Sequence, residues 1–125
     1  MSSFVATAGS AEELEDLETF VVVLAEMPDG DGARLEIQRS LTVDPQDEAL
    51  GENTYCLCTQ TGATYYGGVQ SWRLDNGFLL ISLDELAALT LGVDRQVSIE
   101  LRLTDQALGA VTAGIARALE RPRSE

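Results

Sequence analysis

The sequence predicts an α+β domain: an antiparallel sheet of about five or six strands packed against a C-terminal helix, with a short helix before the last strand. Three observations predict it. Short β-branched or alternating runs follow one another between turn signals such as MPDGDG, TGA and DNG, which favours hairpins over alternating β-α units. The run LDELAALTLG has the length and the closing glycine of a short helix. Near the end of the chain Leu108, Val111, Ile115 and Leu119 recur at helical spacing.

The elements follow in order. Residues 1–17 combine small residues with EELEDLE, and are expected to form a frayed acidic tail; residues 18–125 are expected to form a single α+β domain. TFVVVLAE, residues 19–26, is β-branched and apolar, the mark of a strand covered at least partly on both sides. In the next run Leu35, Ile37 and Leu41 face one way and Arg34, Glu36, Gln38 and Ser40 the other, with Arg39 interrupting the apolar side. That alternation is a half-buried strand closing a hairpin. Pro45 and Gly51 break the chain into a loop, and TYCLCTQ, residues 54–60, is a third strand. TYYGGVQSWRL, residues 64–74, is a fourth, and Asn76-Gly77 turns it tightly into FLLISL, which is apolar on both faces and therefore central. Either Ser82, with Glu85 in capping-box spacing, or Asp84 starts the short helix. In QVSIELRL, Val97, Ile99, Leu101 and Leu103 point inward, and Thr104 or Asp105 caps the final helix, which Pro122 ends.

Charge is the strongest compositional signal. The 125 residues carry a formal net charge of −13, and all 8 basic residues are arginine. Residues 1–52 hold 13 of the 21 acids against Arg34 and Arg39 alone, a net of −11. Such a field repels nucleic acid and steers a basic partner inward; general solubility explains it equally well. The first twenty residues lack a basic region followed by an apolar one, and no apolar run approaches bilayer length, so a cytoplasmic protein without membrane contact is expected.

Several chemistries have no support. The chain has no histidine and no lysine, and no phosphate-binding glycine motif, which removes the commonest general base and Schiff-base chemistry. No pair of acids stands out by spacing. Cys56 and Cys58 share one face of a strand, half a zinc site with nothing to complete it; two small buried hydrophobes are the expected reading. No catalytic residue, metal or cofactor is assigned, and the chain is read as a non-enzyme.

TYYGGVQSWRL is the segment to explain. Adjacent glycines weaken a strand, so the missing Cβ atoms must serve a sharp bend or a close approach. Two readings stay open. In one, Tyr66 and Trp72 pack against the C-terminal helix and the glycines let the sheet coil. In the other, Tyr65, Tyr66, Gln70, Trp72 and Arg73 supply a recognition face, since Tyr, Trp and Arg dominate binding hot spots. Tyr65 and Arg73, opposite Trp72 in an unbroken strand, are the pair expected to be exposed. Glu36, Asp47, Glu48 and Glu52 add the charge that steers a partner.

Residues 51–92, GENTYCLCTQTGATYYGGVQSWRLDNGFLLISLDELAALTLG, resemble the core of the immunity protein ten family of bacterial polymorphic toxin systems. Tyr55, Tyr66, Gly67 and Gly68 match its characteristic positions, across about a third of the chain. The resemblance implies a folded cognate toxin domain as partner, often a nuclease or another enzyme acting in the cytosol, and no catalytic residues. The acidic field adds that the toxin is basic. A small acidic chaperone for a secreted client is the alternative, and a small-molecule enzyme a further one; binding to a folded toxin rather than to an unfolded segment separates the first two.

Overall fold

The computed structural model describes residues 2–29, 32–41 and 55–119. The expected α+β architecture is present: a five-stranded antiparallel sheet packs against a C-terminal helix, and a short helix precedes the last strand. A second, four-stranded sheet faces it. The strands are β1 (Ser2–Ala6), β2 (Ala8–Leu14), β3 (Thr19–Ala25), β4 (Arg34–Ser40), β5 (Cys56–Thr59), β6 (Thr64–Tyr66), β7 (Val69–Asp75), β8 (Phe78–Leu83) and β9 (Gln96–Leu101). The helices are α1 (Glu85–Leu91) and α2 (Asp105–Leu119).

The five-stranded sheet runs β2-β3-β4-β5-β6 and the four-stranded sheet β1-β9-β8-β7. Every neighbouring pair is antiparallel except β1 with β9, which is parallel. The two sheets are joined twice by chain that changes sheet. Between β1 and β2 only Thr7 intervenes; its N–H donates to the Ala25 carbonyl at 3.0 Å and its Oγ1 to that of Glu26 at 2.8 Å. Between β6 and β7 the change falls on Gly67 and Gly68. Edge strands of one sheet thus continue into edge strands of the other, and the two close on a shared core like halves of a flattened barrel.

The region expected to fray is therefore paired. Residues Ser2–Ala6 and Ala8–Leu14 are strands, followed by a 3₁₀ turn at Glu15–Leu17. The register explains why the pattern hid this. Gly9, Ala11 and Glu13 of β2 oppose Leu24, Val22 and Phe20 of β3, so its inward positions carry a glycine and an alanine instead of large apolar residues. Helix α2 occupies the space. A Cβ on Gly9 would lie 3.0 Å from a Leu103 methyl and 3.1 Å from one of Val111.

Helix α2 buries Val111, Gly114, Ile115 and Ala118 against the inner faces of β2, β3 and β4. Thr104 caps its start, its Oγ1 accepting the Ala107 N–H at 3.1 Å. Arg39, the cation that interrupts the apolar side of β4, caps its other end, donating from Nη1 to the Ala118 carbonyl at 2.6 Å. Arg117 stacks 4.2 Å from the Phe20 ring centroid and pairs with Glu13 at 2.7 Å. In α1, Asp84 is the cap, its carboxylate accepting the Ala87 N–H at 2.8 Å. β8 is central, between β9 and β7, as expected; it buries Leu79, Ile81 and Leu83 on one face, while Phe78 on the other is exposed.

The two glycines of α2 have opposite roles. A Cβ on Gly114 would sit 2.6 Å from Ala11 Cβ, whereas one on Gly109 would meet nothing within 4 Å. Gly109→Ala should therefore raise stability by about 0.5–1 kcal/mol through helix propensity. Gly114→Ala should lower it by roughly 1–3 kcal/mol through overpacking. Chemical denaturation of both variants checks the opposed signs.

Candidate partner-binding site

The diglycine is where β6 and β7 part company. Gly67 and Gly68 have φ of +77° and +95°, which side chains with a Cβ rarely tolerate. Their conformation is held by Tyr55. Its carbonyl accepts the Gly67 N–H at 2.9 Å and its phenol oxygen accepts the Val69 N–H at 2.8 Å. The Gly68 carbonyl in turn accepts the Asp84 N–H at 2.9 Å, which ties the switch to the start of α1. A Cβ on Gly68 would lie 2.6 Å from Ala87 Cβ and 3.1 Å from the Tyr65 ring. The close approach foreseen from the missing Cβ atoms is to helix α1.

This switch re-sorts the side chains. Tyr65 opposes Leu57, and Leu57 opposes Ile37, so Tyr65 points inward and packs against the core. Tyr66 opposes Cys56, which opposes Gln38, so Tyr66 stands on the outer face of the five-stranded sheet, 50% exposed. The expected exposed pair is half right: Arg73 is exposed, but Tyr65 is turned inward and Tyr66 takes its place. The unbroken-strand parity fails because two left-handed residues intervene. Trp72 is half-buried and packs against the core, opposite Ile81. Gln70 is exposed at the irregularity between Val69 and Ser71, where β7 loses register with β8.

The candidates consequently divide between two surfaces. Glu36 opposes Cys58 on the outer face that carries Tyr66, and Arg73 opposes Leu80 on the outer face of the other sheet. Asp47, Glu48 and Glu52 lie outside the described residues. The outer face that carries Tyr66 also bears Thr64 beside it on β6 and, at the opposite edge of the sheet, Ser10 and Glu12 of β2, all exposed. Beside it, α1 packs against β6 and exposes Leu86 (61%) and Leu89 (72%). These two leucines were missed in the sequence, where they read as part of an apolar helix; only the burial of Ala87, Ala88 and Leu91 shows which side of the helix faces out.

Cys56 and Cys58 are also on the outer face, half-buried, while Leu57 between them takes the inner position. They are not core residues. A cleft of about 320 Å³ is walled by Phe4, Leu35, Leu57, Ile81 and Leu83, and neither a carboxylate nor a thiol lines it. Among the described residues no group of three or more Cys, Asp and Glu side chains is placed to hold a metal ion.

The model of the family immunity protein 10 matches residues 5–109. The chain belongs to the immunity protein 10 family. No curated protein and no solved structure matches it. The match runs from the end of β1 through β9 and α1 into the start of α2, so the resemblance seen in residues 51–92 extends back through β2. The chain is thus an immunity protein of a bacterial polymorphic toxin system: non-catalytic, and partnered by a cognate toxin domain that it neutralises through protein contact.

Tyr55 and Gly68 therefore carry a structural duty within this immunity protein. Gly68→Ala should cost roughly 2–4 kcal/mol from backbone strain and overlap with Ala87 together. Tyr55→Phe, which removes the acceptor of the Val69 N–H, should cost about 1–3 kcal/mol. Thermal unfolding measures both, and a neutral Gly68→Ala would contradict the tight approach to α1.

Proposed function

We propose that this immunity protein binds its toxin with the outer face of the five-stranded sheet, centred on Tyr66 and flanked by α1. The observation that carries this is the orientation of the tyrosines. Tyr55 is buried and Tyr65 turns inward, while Tyr66 stands half exposed on the face of the sheet turned away from α2. A large aromatic ring at such a position offers contact area at low entropic cost. Leu86 and Leu89 enlarge the apolar part of the contact, the polar Glu36 and Thr64 supply its surroundings, and Ser10 and Glu12 lie at the far edge of the same face.

The toxin is a basic domain acting in the cytosol, a nuclease being the type its charge fits best. Support comes from the formal charge of −13 and the concentration of acids in the first part of the chain. The exposed carboxylates of Glu12, Glu15, Asp16 and Glu18 follow one another along β2 and the turn after it, at the edge of the sheet opposite Tyr66. Complementary fields accelerate encounter and weaken with ionic strength. Occupying the basic groove with which such an enzyme binds its substrate is the simplest route to inhibition.

Tyr66→Ala should weaken toxin binding by about 2 kcal/mol, roughly thirtyfold, in a variant that circular dichroism shows to be folded. Arg73→Ala, on the other sheet, should leave affinity unchanged. Titration calorimetry with the cognate toxin domain decides between the faces, and the reverse pattern would move the site to the four-stranded sheet.

The association rate should fall steeply as salt is raised, and replacing Glu12 and Glu15 with glutamine should flatten that dependence. Stopped-flow mixing across a salt series measures it; a rate indifferent to salt would remove the steering role.

A further inference from the structure

The outer face of β5 holds two thiols that the toxin-binding reading leaves unused. Cys56 and Cys58 are both reduced and half-buried, with their sulfurs 3.9 Å apart. Their other polar contact is weak: Cys56 Sγ lies 3.8 Å from the carbonyl of Leu57. Beside them Glu36 lies opposite Cys58, accepts from Gln38 Nε2 at 3.1 Å and stands 3.0 Å from Arg34 Nε, an ion pair that is not aligned as a hydrogen bond.

A disulfide is not what this spacing favours. Residues two apart in a strand have Cα atoms about 6.7 Å apart, at the far end of the span that a disulfide bridges. The register of β5 with both β4 and β6 holds the strand extended and opposes the pucker that closure needs. The sulfurs therefore stay close without joining, both aimed outward from one rigid element.

We propose that Cys56 and Cys58 chelate one soft monovalent cation, copper(I), between their two sulfurs. Thiolates are the ligands such ions prefer. Among the described residues no third Cys, Asp or Glu is placed to ligate, so zinc, which takes four ligands, lacks half its shell. Copper(I) accepts two. An ion between the sulfurs needs them to open by only a few tenths of an ångström, a small rotation about each Cα–Cβ bond. The step is a simple exchange: each S–H proton leaves to solvent as a sulfur–metal bond forms, and no group is oxidised or reduced.

Each thiol gives up its proton as its sulfur binds the metal, so affinity must fall as pH falls.

The test uses the full chain, kept reduced with ascorbate, titrated with copper(I) against the chromogenic chelator bicinchoninate. One ion bound per chain is expected, with affinity that weakens toward acid pH and both thiols protected from alkylation. Changes to groups that merely orient a ligand cost about 10–100-fold, so Cys56→Ser and Cys58→Ser should each lose more than that while unfolding at unchanged temperature. Copper retained by either variant, one ion shared by two chains, or no copper held against the chelator would each overturn the proposal. Toxin binding plays no part in these readouts, so they stand apart from the docking face.

Discussion

Everything in this fold that bears on recognition depends on a backbone constraint at Gly67 and Gly68. Two successive left-handed residues end one sheet and begin the other, and Tyr55 grips the junction from within through its carbonyl and its phenol. Adjacent tyrosines one step upstream are thereby committed to opposite duties, one to the interior and one to solvent. Had the chain run straight, Tyr66 would share the parity of Trp72, which packs on the core. The switch is thus the reason an aromatic ring is available outside at all.

The interior is organised by a second constraint, the closeness of α2 to β2. Small residues on both sides, Gly9 and Ala11 facing Val111 and Gly114, bring helix and strand together at a separation that larger side chains forbid. The ends of that contact are secured by polar groups placed to suit it. Arg39 reaches from β4 to the last turn of the helix, and Arg117 returns from the helix to Phe20 and Glu13. A cation in the apolar register of β4, which reads as a flaw in an amphipathic strand, is a helix cap.

How much of this was legible follows from which interactions are local. The hairpin from Thr19 to Ser40, the central strand β8, the cap and glycine stop of α1 and the helical period of α2 all follow from patterns within a few residues, and the structure has them within one or two positions. Strand β2 did not show, because its inward residues Gly9 and Ala11 are sized for a helix a hundred positions later, and β1 did not show because its partner β9 lies nearly as far along the chain. The division into two sheets was hidden because alternation assumes an unbroken strand. In the site, Arg73 was readable as exposed, and the two tyrosines were inverted by the same break. The cysteines were placed correctly on one face, but which face is the outer one depended on Leu57 filling the core.

The parallel pairing of β1 with β9 carries a consequence for how the protein comes into being. Ser2 waits for Val97 and Ala6 for Leu101, so β1 leaves the ribosome long before the neighbour it pairs with. Pairings this distant in sequence are slow to close. The five-stranded sheet can assemble from successive hairpins as they are made, but its companion cannot be completed until β9 has emerged. In a cell that makes its own poison, the antidote therefore matures after a delay that topology sets and affinity does not.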